Sequence, residues 1–229
     1  MMSKLSREAV IRRALALADA EGVDAVTVRR LAGELDVTPM ALYWHFKNKE
    51  ELLTAVADHL LAGVARPAEF GGPWQTRLRT MVRTLIETMR EHPSLPLLFH
   101  VAEKERIGSF TRATDIALGL LAEAGFSLEE GYWVSSYLLN GAITLVNGRP
   151  DCPGGIRPEE AEERRKQHRL ALEALPEQEY PYISAYAETM RAAPDVERYF
   201  SFGLDLLMCG VEAMAARIAP ASATPNNTA

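Results

Sequence analysis

Apolar positions along this chain recur every third and fourth residue, with almost no alternation of period two. That pattern predicts helices and no substantial sheet. In the first segment Val10, Ala14, Leu17 and Ala18 fall on one face. Ser6 stands where a cap is needed, Glu8 lies in the first turn and Gly22 ends the run, so a helix is predicted over about 6–20. Thr27 caps a short helix over 28–35. Thr38 caps another that reaches about His45, with Pro39 at its first position, where a missing N–H costs nothing. Asn48 caps a fourth over about 49–65, which turns Leu52, Leu53, Val56, Leu60 and Val64 inward.

The run Arg-Pro-Ala-Glu-Phe-Gly-Gly-Pro at 66–73 breaks the pattern twice and reads as a linker. It divides a small head, 1–66, from a larger body, 67–219. In the body the periodicity predicts helices over 74–91, about 95–103, 108–123, 127–146, 159–175, 181–191 and 195–218. Ser127 and Asp195 serve as caps, and Gly125 closes the helix before Ser127. Residues 147–158 are a loop by composition, and the tail 220–229 is expected to be disordered. The fold class is all-α.

Composition narrows the function. With 48% apolar and 24% charged residues among 229, the chain is globular. The two cysteines have no Cys-x-x-Cys spacing, and the five histidines include no His-x-x-x-His pair, so no metal site is expected. No unbroken run of about eighteen apolar residues occurs and the first residues lack an apolar core, so neither a membrane span nor a secretory signal is expected. The expected location is the cytoplasm. There is no phosphate-binding glycine loop, and Ser135 and Ser136 lie in mid-helix instead of on a nucleophile elbow. His100 near Glu103 reads as chance proximity. No cofactor and no enzymatic activity are expected. The charged run 159–169 reads as a solvated helix face, and Cys152 as an incidental loop thiol.

Net charge is −6, which argues against indiscriminate nucleic-acid binding. The distribution is uneven, however. Residues 1–49 hold eight Lys/Arg against six Asp/Glu, while the remainder holds 17 against 25. A basic head therefore sits on an acidic body. Within the head, 28–35 and 38–45 have helix-turn-helix spacing, with Ala32, Leu35, Val37 and Leu42 to pack the pair and Asp36 in the turn. The second helix presents Thr38, Met40, Ala41, Tyr43, Trp44 and His45 outward. Two aromatics and a histidine suit sugar, phosphate and thymine methyls better than bulk water. Arg29 opens the preceding helix and Lys49 the following one, where phosphate is attracted.

The words Val26-Thr27-Val28-Arg29-Arg30-Leu31-Ala32, Val37-Thr38 and Leu42-Tyr43-Trp44-His45-Phe46-Lys47-Asn48-Lys49-Glu50-Glu51-Leu52-Leu53 closely resemble the N-terminal domain of the tetracycline-repressor (TetR) family. The resemblance covers 5–65 with high specificity. Trp74-Gln75, Gly125 to Gly131 and Phe202-Gly203-Leu204 resemble, more loosely, the C-terminal domain of the tetracycline-repressor subgroup. The resemblance implies a homodimeric regulator with a helix-turn-helix DNA-binding domain and a larger ligand-binding and dimerisation domain. It puts operator contacts at Arg29, Thr38, Pro39, Met40, Tyr43, Trp44, His45 and Lys49. The family usually has Gly where Asp36 stands, and often a polar base-reader where Pro39 and Met40 stand, so methyl and shape readout carry more of the expected specificity.

The resemblance also implies a four-helix dimer interface through 127–146 and 195–218. The stripes Leu138, Leu139, Ala142, Ile143, Val146 and Leu204, Leu207, Met208, Val211, Met214 fit that role, with intramolecular core as the alternative. The subgroup holds a magnesium–tetracycline complex through histidines, a glutamate of the partner subunit and a His-x-x-x-Arg-Pro-like stretch. Here His100 is followed by Val-Ala-Glu-Lys-Glu-Arg, and Ala65 and Leu145 stand at a histidine and the glutamate position. The expected inducer is therefore a small organic molecule other than tetracycline. Helical position offers Met81, Leu85, Met89, Phe99, His100, Phe110, Trp133, Tyr137 and Asn140 as pocket candidates, each with plain core as the alternative. Two other readings stay open: a helical ligand-binding or enzymatic protein with a vestigial head, and an activator in place of a repressor.

Overall fold

The computed structural model describes residues 5–64, 66, 71–101, 103–151 and 158–218, without the side chains of 100, 101 and 158. The linker at 67–70, Ala65, Cys152 and the tail from 219 lie outside the described residues. All regular structure among the described residues is helical, as the periodicity predicts.

The head is built from α1 (Arg7–Glu21), α2 (Val28–Glu34), α3 (Pro39–Tyr43) and α4 (Lys49–Leu61), with a 3₁₀ turn at Val23–Ala25. Each start is fixed by a side chain that accepts from an otherwise unpaired amide: Ser6 from Ala9 N, Thr27 from Arg30 N, Thr38 from Ala41 N and Asn48 from Glu51 N. Val10, Leu31, Leu42, Leu53 and Val56 are buried and make the head's core. α2 and α3 close on each other through buried Ala32 and Leu42, with Leu35 and Val37 half-buried beside them. Asp36 makes the turn at φ 52°.

The body comprises α5 (Trp74–Glu91), α6 (Leu95–Val101), α7 (Gly108–Glu123), α8 (Leu128–Asn147), α9 (Pro158–Glu173), α10 (Pro181–Thr189) and α11 (Val196–Ile218). Helices α5, α7 and α8 pack around Leu78, Val82, Leu120, Leu121 and Val134. α11 lies across α5 and α8. It is held by Phe200, Leu204, Met208 and Val211, and by ion pairs from Arg79 to Asp205 and from Arg90 to Glu197. The α8–α11 crossing is close because two glycines face leucines. A Cβ on Gly141 would stand 2.7 Å from a Leu207 methyl, and one on Gly203 would overlap Leu145.

One expectation is corrected here. Leu138, Ala142, Val146, Leu204, Met208 and Val211, offered as dimer stripes, are buried within the protomer. Of the offered residues Met214 stays exposed, and the other large apolar side chains left exposed on these helices are Leu128, Tyr132, Trp133 and Tyr137 of α8, and Phe202, Leu206 and Ile218 of α11. Both helices are apolar on more than one side, so the stripe alone does not say which side the protomer's core takes. By length and composition alone α11 could cross a membrane, a test that a helix packed in a protein core also passes. Asp205 and Glu212 interrupt the apolar run, which is why a search for an unbroken run passes over it.

Candidate DNA-binding face and internal cavity

Leu42 anchors α3 to the head's core and so turns the rest of the short helix outward. Met40 is 68% exposed and Trp44 86% exposed. Thr38, Pro39 and Tyr43 share this exposed position. The helical path is extended by one turn, His45 N and Phe46 N both donating to Leu42 O. His45 is half-buried, and its carbonyl accepts from Arg7 at 3.4 Å. The same guanidinium lies 4.5 Å from the centre of the Phe46 ring. Lys49 is half-buried, with its ammonium donating to Asp24 O at 3.4 Å.

The cations of α2 divide into two kinds. Arg30 is tied to Glu21 at 2.7 Å and to Glu34 at 2.8 Å, and Arg13 also reaches Glu34 at 2.6 Å. The hydrogen bond from Arg30 leads the effects that hold the Glu34 carboxyl below its usual value. Arg29 is exposed and has no acidic partner among the described residues. An unneutralised cation beside an exposed aromatic helix is what a phosphate backbone needs. Lys47, not among the predicted contacts, is exposed in the same segment. Its place between two predicted contacts, His45 and Lys49, was the signal available.

Below the head lies a cavity of about 100 Å³. Its walls come from five helices or their ends: Leu61 and Val64 from the α4 end, Leu78, Met81, Val82 and Leu85 from α5, and Phe99 from α6. Phe110, Ala113, Thr114 and Ala117 of α7, and Tyr132, Ser135, Ser136, Leu138 and Leu139 of α8, complete it. Phe99 and Phe110 meet edge to face at 5.8 Å. Thr114 and Ser135 spend their hydroxyl protons on helix carbonyls, of Phe110 at 3.0 Å and of Gly131 at 2.8 Å. Each keeps acceptor capacity, so the wall is apolar with a few polar points.

Of the predicted pocket residues, the cavity brings together Met81, Leu85, Phe99 and Phe110. Met89 is fully buried but not in the lining, and Trp133, Tyr137 and Asn140 are exposed on α8 outside it. The side chain of His100 lies outside the described residues. The lining from α8 that sequence reading missed is Tyr132, Ser135, Ser136, Leu138 and Leu139. The lining of α5 and α7 repeats at helical spacing and was readable in principle.

At the magnesium–tetracycline positions Ala65 and Leu145 carry no side-chain donor for that group, while His100 keeps an imidazole. Leu145 packs on Gly203 of α11 and offers no oxygen. Among the described residues no cluster of three or more His, Cys, Asp or Glu side chains could hold a metal ion.

A helix-turn-helix head joined to a helical body with an apolar cavity is an architecture suited to a transcriptional regulator. The family model "Bacterial regulatory proteins, tetR family" matches residues 10–56, and "Tetracyclin repressor-like, C-terminal domain" matches 66–215. The chain belongs to the TetR family of bacterial transcriptional regulators. The Escherichia coli tetracycline repressor protein class D is 30% identical over 220 residues, which is 92% of this chain and 91% of that protein. The Streptomyces coelicolor TetR family protein ActR, solved in complex with actinorhodin, superposes with a TM-score of 0.73 at 25% identity, covering 93% of this chain and 99% of that one. BioQ of Mycobacterium smegmatis, solved with its double-stranded DNA operator, gives a TM-score of 0.59 at 25% identity, covering 92% and 99%.

Proposed function

We propose that this protein is a ligand-responsive repressor that binds a palindromic operator as a homodimer and is released by a small organic molecule other than tetracycline. In this reading residues 1–66 form the DNA-binding domain and 67–219 the ligand-binding and dimerisation domain. The observation that carries it is the position of α4. Its start carries Lys49, a few residues past the end of α3 in sequence, and Leu61 and Val64 at its far end wall the cavity. One helix thus touches both the DNA-facing surface and the ligand space.

On the operator, Thr38, Pro39 and Met40 meet base edges in the major groove, largely through apolar contact with thymine methyls. Tyr43, Trp44 and His45 meet sugar and phosphate, and Arg29 and Lys49 meet phosphate. One recognition helix serves each half-site, with half-sites about one helical turn or slightly more apart. The ligand is amphipathic, matching an apolar wall with hydroxyls from Thr114, Ser135, Ser136 and Tyr132. A cavity of about 100 Å³ is below the range of roughly 300–1,000 Å³ typical of ligand sites. A ligand therefore has to spread the walls, Leu61 and Val64 among them. It releases DNA to the extent that it binds the spread state better.

The test is a mobility-shift titration on the DNA upstream of the protein's own gene at two salt concentrations. Tight, salt-sensitive binding that survives excess random DNA is expected. Tyr43→Ala and Lys49→Ala should each weaken it about tenfold, as lost backbone contacts do. Equal, weak binding to operator and random DNA, unchanged in both variants, would favour a vestigial head.

A further inference from the structure

The head is joined to the body by more than apolar packing. Besides an exposed pair between Glu50 and Arg106 that water screens, two less exposed carboxylates of the head reach across to the starts of two body helices, and both of those helices wall the cavity. Helix α7 has Ile107 at its cap position, which offers no side-chain acceptor. Its cap comes from α4, where Asp58 Oδ1 accepts from Ser109 N at 2.6 Å. The residue next to Ser109 is Phe110, a cavity wall, and one turn after Asp58 comes Leu61, another.

The second tie is built the same way. Asp19 of α1 accepts from Ser94 N at 3.2 Å and from Ser94 Oγ at 2.6 Å, while its other oxygen lies 2.8 Å from His92 Nδ1. Ser94 is buried, immediately before α6, and α6 carries Phe99 into the cavity. A carboxylate at a helix start is favoured by the unpaired amides there. Apolar contacts let surfaces slide, but a hydrogen bond to a buried amide is directional. Losing it strands a donor out of water.

We propose that Asp19 and Asp58 are the positioning residues through which the state of the cavity reaches the DNA-binding head. When Phe99 or Phe110 shifts, α6 and α7 carry Ser94 and Ser109 with them. The two carboxylates transmit that shift to α1 and α4 as a change in head orientation. This rests on the ligand-responsive reading above, and it assigns the coupling to two named side chains.

A double-mutant cycle read by hydrogen exchange on the full-length protein tests it without ligand or DNA. Phe110→Ala alters the cavity, Asp19→Ala plus Asp58→Ala removes the ties, and amides of α2 and α3 report on the head. Amides of α8 serve as the folding reference, and Phe99→Leu replaces Phe110→Ala if the α8 protection is lost. The cavity substitution should speed head exchange about tenfold with the ties present and less than about twofold once they are gone. Asp19→Asn and Asp58→Asn keep an acceptor oxygen and should restore most of the response. The proposal is overturned if the cavity substitution leaves the head unchanged with the ties present, changes it by the same factor in both backgrounds, or if the Asn variants behave as Ala. Since no operator is used, a failure of DNA binding would leave this result readable.

Discussion

Asp36 is the only residue other than glycine with positive φ among the described residues, and it sits between the two helices that make the DNA-reading motif. An L-residue pays roughly 1–2 kcal/mol for the left-handed region, somewhat less for Asp, while Gly's extra chain freedom costs about 0.5–1 kcal/mol. Strain relief exceeds the entropy term, so Asp36→Gly should stabilise the head by about 0.5 kcal/mol. Chemical denaturation of both proteins, followed by circular dichroism, checks it; a less stable variant would mean that the carboxylate holds the turn. At this scale the sequence is most readable. Ser6, Thr27, Thr38, Asn48 and Ser127 were legible as caps because capping needs only one acceptor at one offset, and each accepts from the amide three residues on. The ties made by Asp19 and Asp58 were not legible. Their partners lie 75 and 51 residues away, and no local pattern marks them.

Among the elements, α8 combines a local feature that the sequence reveals with a packing direction that it conceals. Its start is a capping box, in which Ser127 Oγ accepts from Glu130 N while the Glu130 carboxylate accepts from Ser127 N at 2.9 Å. The backbone hydrogen bond, then the Ser127 hydroxyl, holds the Glu130 carboxyl below its ordinary value of 4.5. A lowered folded-state value means the stabilisation is present above 4.5 and is lost as the pH falls through the folded value. Exchange protection at the start of α8 should therefore drop on acidification below 4.5, and Glu130→Gln should flatten that dependence. An unchanged acid profile in the variant would remove Glu130 from the account.

The face of α8 turned to the cavity was harder to read, because Trp133 and Tyr137 are large and apolar yet exposed, while the smaller Ser135 and Ser136 point inward. Hydrophobicity alone selects the wrong side of such a helix. The crossing with α11 gives the third prediction. A methyl at Gly203 would overlap Leu145, and overpacking costs about 1–3 kcal/mol against a helix-propensity gain near 1 kcal/mol. Gly203→Ala should lower stability by about 1 kcal/mol, and Leu145→Ala in the same chain should relieve the clash, both read by thermal unfolding.

At the scale of the whole molecule, the periodicity was enough for the all-helical fold and the order of its elements, but not for what lies against the outer faces of α8 and α11. On α11, Phe202 is 67% and Leu206 66% exposed, with Met214 further along the same helix. In the proposed homodimer, burying such a surface against a second copy would account for a helix already packed on α5 and α8 remaining apolar outside. It would also supply the two heads that the proposed palindromic operator requires. A carboxylate placed there would be buried in the dimer without a partner, whereas in the monomer it would stay in water. Leu206→Glu should therefore leave the protomer's helix content intact and weaken self-association by about 3 kcal/mol, roughly a hundredfold. Sedimentation equilibrium reads the association directly. Operator affinity should fall with it, since one head reaches only one half-site. A variant that stays dimeric would place the two-fold contact elsewhere on the body. A variant that becomes monomeric yet keeps full operator affinity would show that pairing of the heads is not what secures the DNA.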